Sequence, residues 1–208
     1  MAEMGQIPLV ICRHGRTRFN AEKRFLGRLD VPLDPHGERE AELLGARLRG
    51  MPRAGLWASP LARAWQTALR IGAPKPQICL QELDQGALEG NRAPEMLSRY
   101  PEFFAAWAED PAHARVPGGE TLAECRDRAV EAVIRLARAH EPGPPLVIVS
   151  HQMVMAALVL TALGLPLKEF RKHTQGNVAI SLFGWSEATG LVLHRFNDTA
   201  HTDGLLPL

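Results

Sequence analysis

Ile7-Pro8-Leu9-Val10-Ile11-Cys12-Arg13-His14-Gly15 is an apolar run that ends in a guanidinium, an imidazole and a glycine. A short run of this kind predicts a buried strand, with its polar end on the loop at the strand's carboxyl terminus. Three further runs end the same way. Gly55-Leu56-Trp57-Ala58 leads into Ser59-Pro60-Leu61-Ala62-Arg63, Ile78-Cys79-Leu80 into Gln81-Glu82, and Leu146-Val147-Ile148-Val149 into Ser150-His151. Open sheets bind ligands beyond the carboxyl ends of their strands, so Arg13, His14, Arg63, Glu82 and His151 are expected to converge although far apart in sequence.

The segments between these runs read as helices. Asp34-Pro35 offers an N-cap carboxylate and a proline at the first helical position, and Ala41, Leu44 and Leu48 follow at helical spacing before Gly50. Ser59-Pro60 repeats the device for a helix to about Gly72, which sets Arg63 in its first turn. Thr121 with Glu124 forms a capping box ahead of a long helix to about His140, and residues 152–163 form an apolar one. Val178 to Trp185 and Leu191 to Phe196 flank a turn and predict a β-hairpin. Between residues 86 and 119, glycines, prolines and aromatic residues intersperse, which predicts short helices in a lid. The expected fold is a three-layer α/β/α sandwich around a mainly parallel sheet, with one antiparallel strand near the C-terminus and a small helical lid.

With 208 residues, 46% of them hydrophobic, the chain is sized for one core, and residues 1–208 are expected to form a single domain carrying that lid insertion. The 24 Lys and Arg nearly balance 23 Asp and Glu, so no global field recruits nucleic acid or an anionic membrane. Basic residues are mostly arginine, whose planar fork suits phosphate and carboxylate. Cys12, Cys79 and Cys125 form no Cys-x-x-Cys pair and are odd in number, which fits a reducing cytoplasm better than a disulfide framework. The opening Met1-Ala2-Glu3-Met4-Gly5-Gln6 lacks the basic and apolar regions of a leader, and the longest apolar stretch, Val154 to Leu165, is short for a bilayer. A soluble protein is expected.

Several motifs, in order, resemble those of the histidine phosphatase superfamily, the group that includes cofactor-dependent phosphoglycerate mutases. They are Arg13-His14-Gly15-Arg16-Thr17-Arg18-Phe19-Asn20, Gly27 to Asp34, Ser59 to Ala68, Leu83 within Gln81 to Gly90, Gly118-Gly119-Glu120-Thr121 and Val149-Ser150-His151, which together span almost the whole chain. The resemblance implies that His14 attacks phosphorus to give a phosphohistidine, that Arg13, Arg63 and His151 clamp the phosphoryl oxygens, and that Glu82 is the proton donor. His14 must then be neutral at one nitrogen, with the other donating to a backbone carbonyl. Asn20 resembles a phosphate contact, with a cap or turn role as the rival reading, and the Gln152 amide is a further candidate at a helix N-terminus. Asn197 and His201 resemble the family's closing segment, with His201 as support. The other histidines (36, 113, 140, 173 and 194) are assigned to exposed helix and loop positions. Arg16, Leu26 and Ala58 depart from common family residues, and Leu26 makes the rim less polar. No cofactor and no metal are implied.

Alternatives stay open. Glu89 competes with Glu82 for the acid role, its rival reading being a loop carboxylate bonded to backbone donors. Cys12 and Arg18 match the Cys-x5-Arg spacing of thiolate phosphatases. A metal hydrolase lacks a clustered ligand set. A noncatalytic phospholigand-binding module is the reading from another class. Mutases carry a longer insertion after the acid segment, whereas only about 30 residues separate Glu89 from Glu120, which favours hydrolysis. The expected substrate is a small phosphorylated metabolite, gripped through its other groups by lid residues such as Phe103, Phe104, Trp107, Arg92, Arg99 or Arg115. The sequence leaves room for a homodimer through the sheet edge.

Overall fold

In the computed structural model, which describes residues 5–205, the first apolar run is a strand, β1 (Ile7–Arg13), buried on both faces. The opening segment read above for leader features falls partly in residues 1–4, which lie outside the described residues. In chain order there follow α1 (Arg18–Ala21), α2 (Pro35–Arg47), β2 (Gly55–Ala58), α3 (Ala62–Leu69), β3 (Lys75–Pro76), α4 (Ala93–Arg99) and α5 (Pro101–Glu109). The chain continues through α6 (Leu122–Arg138), β4 (Leu146–Ser150), α7 (Gln152–Leu163), β5 (Ile180–Ser186) and β6 (Gly190–Asp198).

The strands form one sheet in the order β3-β2-β4-β1-β5-β6. β1, β4, β2 and β3 pair in parallel, whereas β5 runs against both β1 and β6. β5 is therefore the one reversed strand. Successive side chains of a strand point to opposite faces, and each face here has its own helices. Leu9, Ile11, Leu146, Ile148 and Phe183 pack with Cys125 and Ala129 of α6 and with Val154 to Leu160 of α7. On the other face Val10, Cys12, Leu56, Ala58, Val147 and Val149 pack with Leu44 of α2 and with Ala64 and Ala68 of α3. The architecture is the expected α/β/α sandwich. Full burial of each such aliphatic side chain contributes about 1.5–3 kcal/mol, so these two layers carry most of the fold's stability.

Helix α7 has no polar face because every side is covered, and Val154 through Leu160 are buried. Among the described residues no single helix is long and apolar enough to cross a membrane. The helix starts read from Asp34-Pro35 and Thr121-Glu124 are present. Asp34 Oδ1 accepts from Gly37 N at 2.8 Å, and Thr121 Oγ1 accepts from Glu124 N while Glu124 Oε2 accepts from Thr121 N.

Two local expectations are corrected. Ile78-Cys79-Leu80 is not a strand but a 3-10 turn, and the edge strand is the two-residue Lys75–Pro76 just before it. Gln77 ends the strand: its side-chain oxygen accepts from Cys79 N and its carbonyl from Leu80 N, which curls the chain. Ser59 is likewise not a helix cap. Its hydroxyl accepts from Leu61 N, α3 begins at Ala62, and the Ala62 amide donates to Asp30 Oδ1 at 2.6 Å, so the cap comes from a distant loop.

Over 86–119 the chain forms a 3-10 turn (Gly86–Leu88) and the short helices α4 and α5, divided at Tyr100 before Pro101. Phe103 packs on Phe104 and Trp107, and Trp107 packs edge-on to Phe170, with centroids 5.0, 5.6 and 5.8 Å apart. These contacts tie the lid to the segment after α7.

Candidate active site

The register of β1 against β4 builds the centre of the site. Arg13 pairs with Ser150, so the next residues, His14 and His151, leave the sheet side by side. Their ring centroids lie 5.1 Å apart, and the His14 amide donates to Ser150 O at 3.0 Å. Both imidazoles are buried. His14 Nδ1 lies 2.7 Å from Gly15 O. A carbonyl only accepts, so Nδ1 carries the proton and Nε2 keeps the lone pair. Burial, reinforced by the Arg63 and Arg13 charges, holds His14 well below the usual 6.5. His151 is lowered by burial first and then by Arg63, His14 and Arg13.

Two glycines permit the loops to close around this point. A Cβ on Gly37, in the first turn of α2, would lie 1.9 Å from Arg16 O, and one on Gly27 would lie 2.6 Å from Gln85 N. Only the absence of side chains lets these backbones touch. Arg16 N donates to Glu40 Oε2 at 2.6 Å and Arg16 Nε to Asp34 Oδ2 at 2.9 Å, which fixes the loop after His14 onto α2.

Arg13 and Arg63 flank the histidines. Arg13 Nη1 donates to Gln175 O at 2.5 Å, and Arg63, fully buried, donates from Nη1 to Leu29 O and from Nη2 to Gly27 O. Burial lowers Arg63 to about 10, so it remains cationic at neutral pH. Nε of both arginines, both ring nitrogens of His151 and Nε2 of Gln152 are buried polar atoms without a hydrogen-bond partner among the described residues. Buried donors are normally satisfied, and four neighbouring residues that are not so define a place for an acceptor-rich ligand.

Glu82 lies beside this group, 4% exposed. It comes off a loop after the 3-10 turn rather than off a strand end. Its Oε1 accepts from Leu83 N at 2.8 Å, and both oxygens accept from Met153 N at 3.2 Å, in the first turn of α7. Burial raises its pKa, against the lowering pull of those amides and of Arg63 and Arg13. Glu89 is engaged elsewhere. Its oxygens accept from Arg28 N, Leu29 N and Gln85 N, the backbone-donor role set against the acid role above.

Asn20 Oδ1 accepts from Thr17 N at 3.0 Å while Asn20 N donates to Thr17 Oγ1, a capping box for α1. Only its Nδ2 is left to reach a ligand. The Gln152 amide lies at the start of α7, and its side-chain Oε1 accepts from Gln175 N. Cys12 is fully buried under α2 and α3, and burial pushes its thiol up to about 12, so the thiolate reading lacks its nucleophile. Leu26 is buried rather than placed on a rim. His36 departs from the expected exposure: it is buried, with Nε2 3.3 Å from Glu40 Oε1. Arg115 bonds Gly119 O and Glu124, and Arg99 lies over the Tyr100 ring. Half-buried His201 lies in the 3-10 turn Ala200–Thr202, and Asn197 Oδ1 accepts from Gly176 N.

Other residues support the site. Arg128 of α6 donates to the carbonyls of Cys79, Gln81 and Glu82 at 2.7, 2.7 and 2.9 Å and pairs with Glu120 at 2.7 Å. It lies on the stripe between Cys125 and Ala132, where an arginine needs a partner, and that was the available signal. Thr67, inside the Ser59 to Ala68 motif but given no role there, accepts from Gly15 N, and Asn177 Nδ2 donates to His14 O with no sequence cue. Among the described residues no three His, Cys, Asp or Glu side chains group as a metal site.

The fold and this grouping define an α/β protein whose crevice, at the carboxyl ends of two adjacent parallel strands, gathers two imidazoles, two guanidiniums and a buried carboxyl group. The profile of the histidine phosphatase superfamily (branch 1) matches residues 9–199, and the chain belongs to that family. It is 30% identical to phosphoserine phosphatase 1 of Hydrogenobacter thermophilus over 200 residues, 94% of each chain. It is 31% identical to a probable phosphoglycerate mutase of Salmonella paratyphi C over 210 residues, 95% of each. Among solved structures, YhfR of Bacillus stearothermophilus superposes with a TM-score of 0.87 at 26% identity, covering 95% of this chain and all of that one.

Proposed function

We propose that the chain is a phosphomonoester hydrolase that works through a phosphohistidine on His14. The observation that carries this reading is the His14 ring itself, with Nδ1–H donating to Gly15 O and the lone pair at Nε2, buried beside His151 and two guanidiniums. Nε2 attacks phosphorus, the bond from phosphorus to the ester oxygen breaks, and that oxygen leaves with the electron pair. Glu82, whose burial favours the protonated form, gives it a proton. Water then attacks phosphorus, its proton passes to the Glu82 carboxylate, and the nitrogen–phosphorus electron pair returns to Nε2. Arg13, Arg63, His151 and the Gln152 amide stabilise the charge on the phosphoryl oxygens, the largest source of rate in such transfers.

Hydrolysis is preferred to mutase action because the lid is short, with α4 and α5 as its only α-helices among the described residues. The phosphatase among the relatives supports this choice, and the mutase-named relative keeps transfer to a second hydroxyl as the rival. Steady-state release of inorganic phosphate from 4-nitrophenyl phosphate tests the reading. His14→Ala should lower kcat by about 10⁴-fold or more while circular dichroism stays unchanged. A folded variant retaining a tenth of the turnover contradicts it.

A further inference from the structure

A cavity of about 390 Å³ opens under the lid on the Glu82 side of the site. Its floor includes Leu83 and Met153, the two residues whose amides hold the Glu82 carboxyl group. An acid that protonates the leaving oxygen must touch it, so the organic part of the substrate extends over this floor. The cavity therefore receives the leaving group.

Its chemistry is unusual for a phosphometabolite. Phe25, Phe103, Phe104, Trp107 and Phe170 form its walls, and no Asp or Glu lines it among the described residues. Arg171 is its one cation, laid over the Phe170 ring at 4.7 Å, and Gln85 its one other polar side chain. A hydroxyl or a primary ammonium buried there loses water and finds few acceptors, and the rings offset only part of that loss for a cation already facing Arg171. An aromatic or alkyl body instead gains ring contacts.

Resting on the hydrolase reading above, we infer that the substrates are monoesters of alcohols with an apolar, ring- or alkyl-bearing body, carrying at most one further anionic group, which Arg171 meets. Amino alcohols are disfavoured. This sets the chain apart from its phosphoserine-cleaving relative, because an ammonium group would face Arg171 with no carboxylate to receive it.

The test compares kcat/KM for 2-phenylethyl phosphate and phosphoethanolamine, both esters of primary alcohols. The ammonium group makes ethanolamine the better leaving group, so chemistry alone favours phosphoethanolamine. The cavity should reverse this, with 2-phenylethyl phosphate ahead by at least about tenfold. Arg171→Glu and Leu97→Asp, both at exposed positions on the cavity rim, should each narrow that ratio at least about fivefold by offering the ammonium a partner. Equal or inverted rates in the unmodified enzyme overturn the inference, as does a ratio that neither variant moves. If 4-nitrophenyl phosphate is cleaved while the ratio fails, the hydrolase reading survives and only the cavity assignment falls. If no ester is cleaved, both fall.

Discussion

Burial acts in opposite senses on the two groups that the proposed chemistry needs. It disfavours charge, so it lowers the His14 imidazole and raises the Glu82 carboxyl group, each shift favouring the neutral form that its proposed role uses. Rate then rises with pH through the His14 titration, below 6.5, and falls as pH climbs through that of Glu82, above its ordinary 4.5. Glu82→Gln should remove the falling limb of kcat/KM and slow alkyl phosphates by about 10²- to 10⁴-fold, with a smaller loss for aryl esters whose oxygen leaves unaided. A pH–rate profile for each ester checks this. Equal slowing of both esters, with the falling limb intact, contradicts the acid role. These residues were legible because each belongs to a short motif of chemically distinctive groups, whereas the Glu89 alternative needed the structure to show three backbone amides on its oxygens.

At the scale of elements, α6 is a brace for Glu82. Its Arg128 fork holds the carbonyls of Cys79, Gln81 and Glu82 around the 3-10 turn, while Glu120 receives both Arg128 and the Asp84 amide. Arg128→Lys keeps the charge but cannot span those acceptors. It should lower kcat about ten- to hundredfold on alkyl phosphates with little change in KM, and displace the falling limb of the pH profile. Arg128→Met should in addition cost about 2–3 kcal/mol in urea unfolding. A kcat unaltered by Arg128→Lys would reduce the residue to a stability role. The start of α6 was readable because Thr121 and Glu124 cap it from within a local window. The start of α3 was not, because its cap, Asp30, arrives from 32 residues away. Ile78-Cys79-Leu80 misled for a related reason: three apolar residues satisfy strand and turn alike, and Gln77 decides between them through contacts no periodicity records.

Across the whole molecule, a single register does the assembling. Pairing Arg13 with Ser150 sets two histidines, 137 residues apart, beside each other, and the parallel order of β2, β4 and β1 brings Arg63 to the same edge. That convergence was expected from strand ends alone, since an open parallel sheet has only one edge at which they finish. The supporting contacts from Gln175 and Asn177 were not, because loops that meet only after folding leave no pattern in the chain. The lid closes this edge with an apolar cavity, and the proposed enzyme passes through a covalent state there. The most direct test mixes the enzyme with 4-nitrophenyl phosphate for milliseconds, quenches in alkali and maps the phosphorylated peptide by mass spectrometry. The expected product is an acid-labile, alkali-stable phosphate on His14, absent from His14→Ala; phosphate on another residue, or none from an enzyme that is turning over, rules the covalent route out.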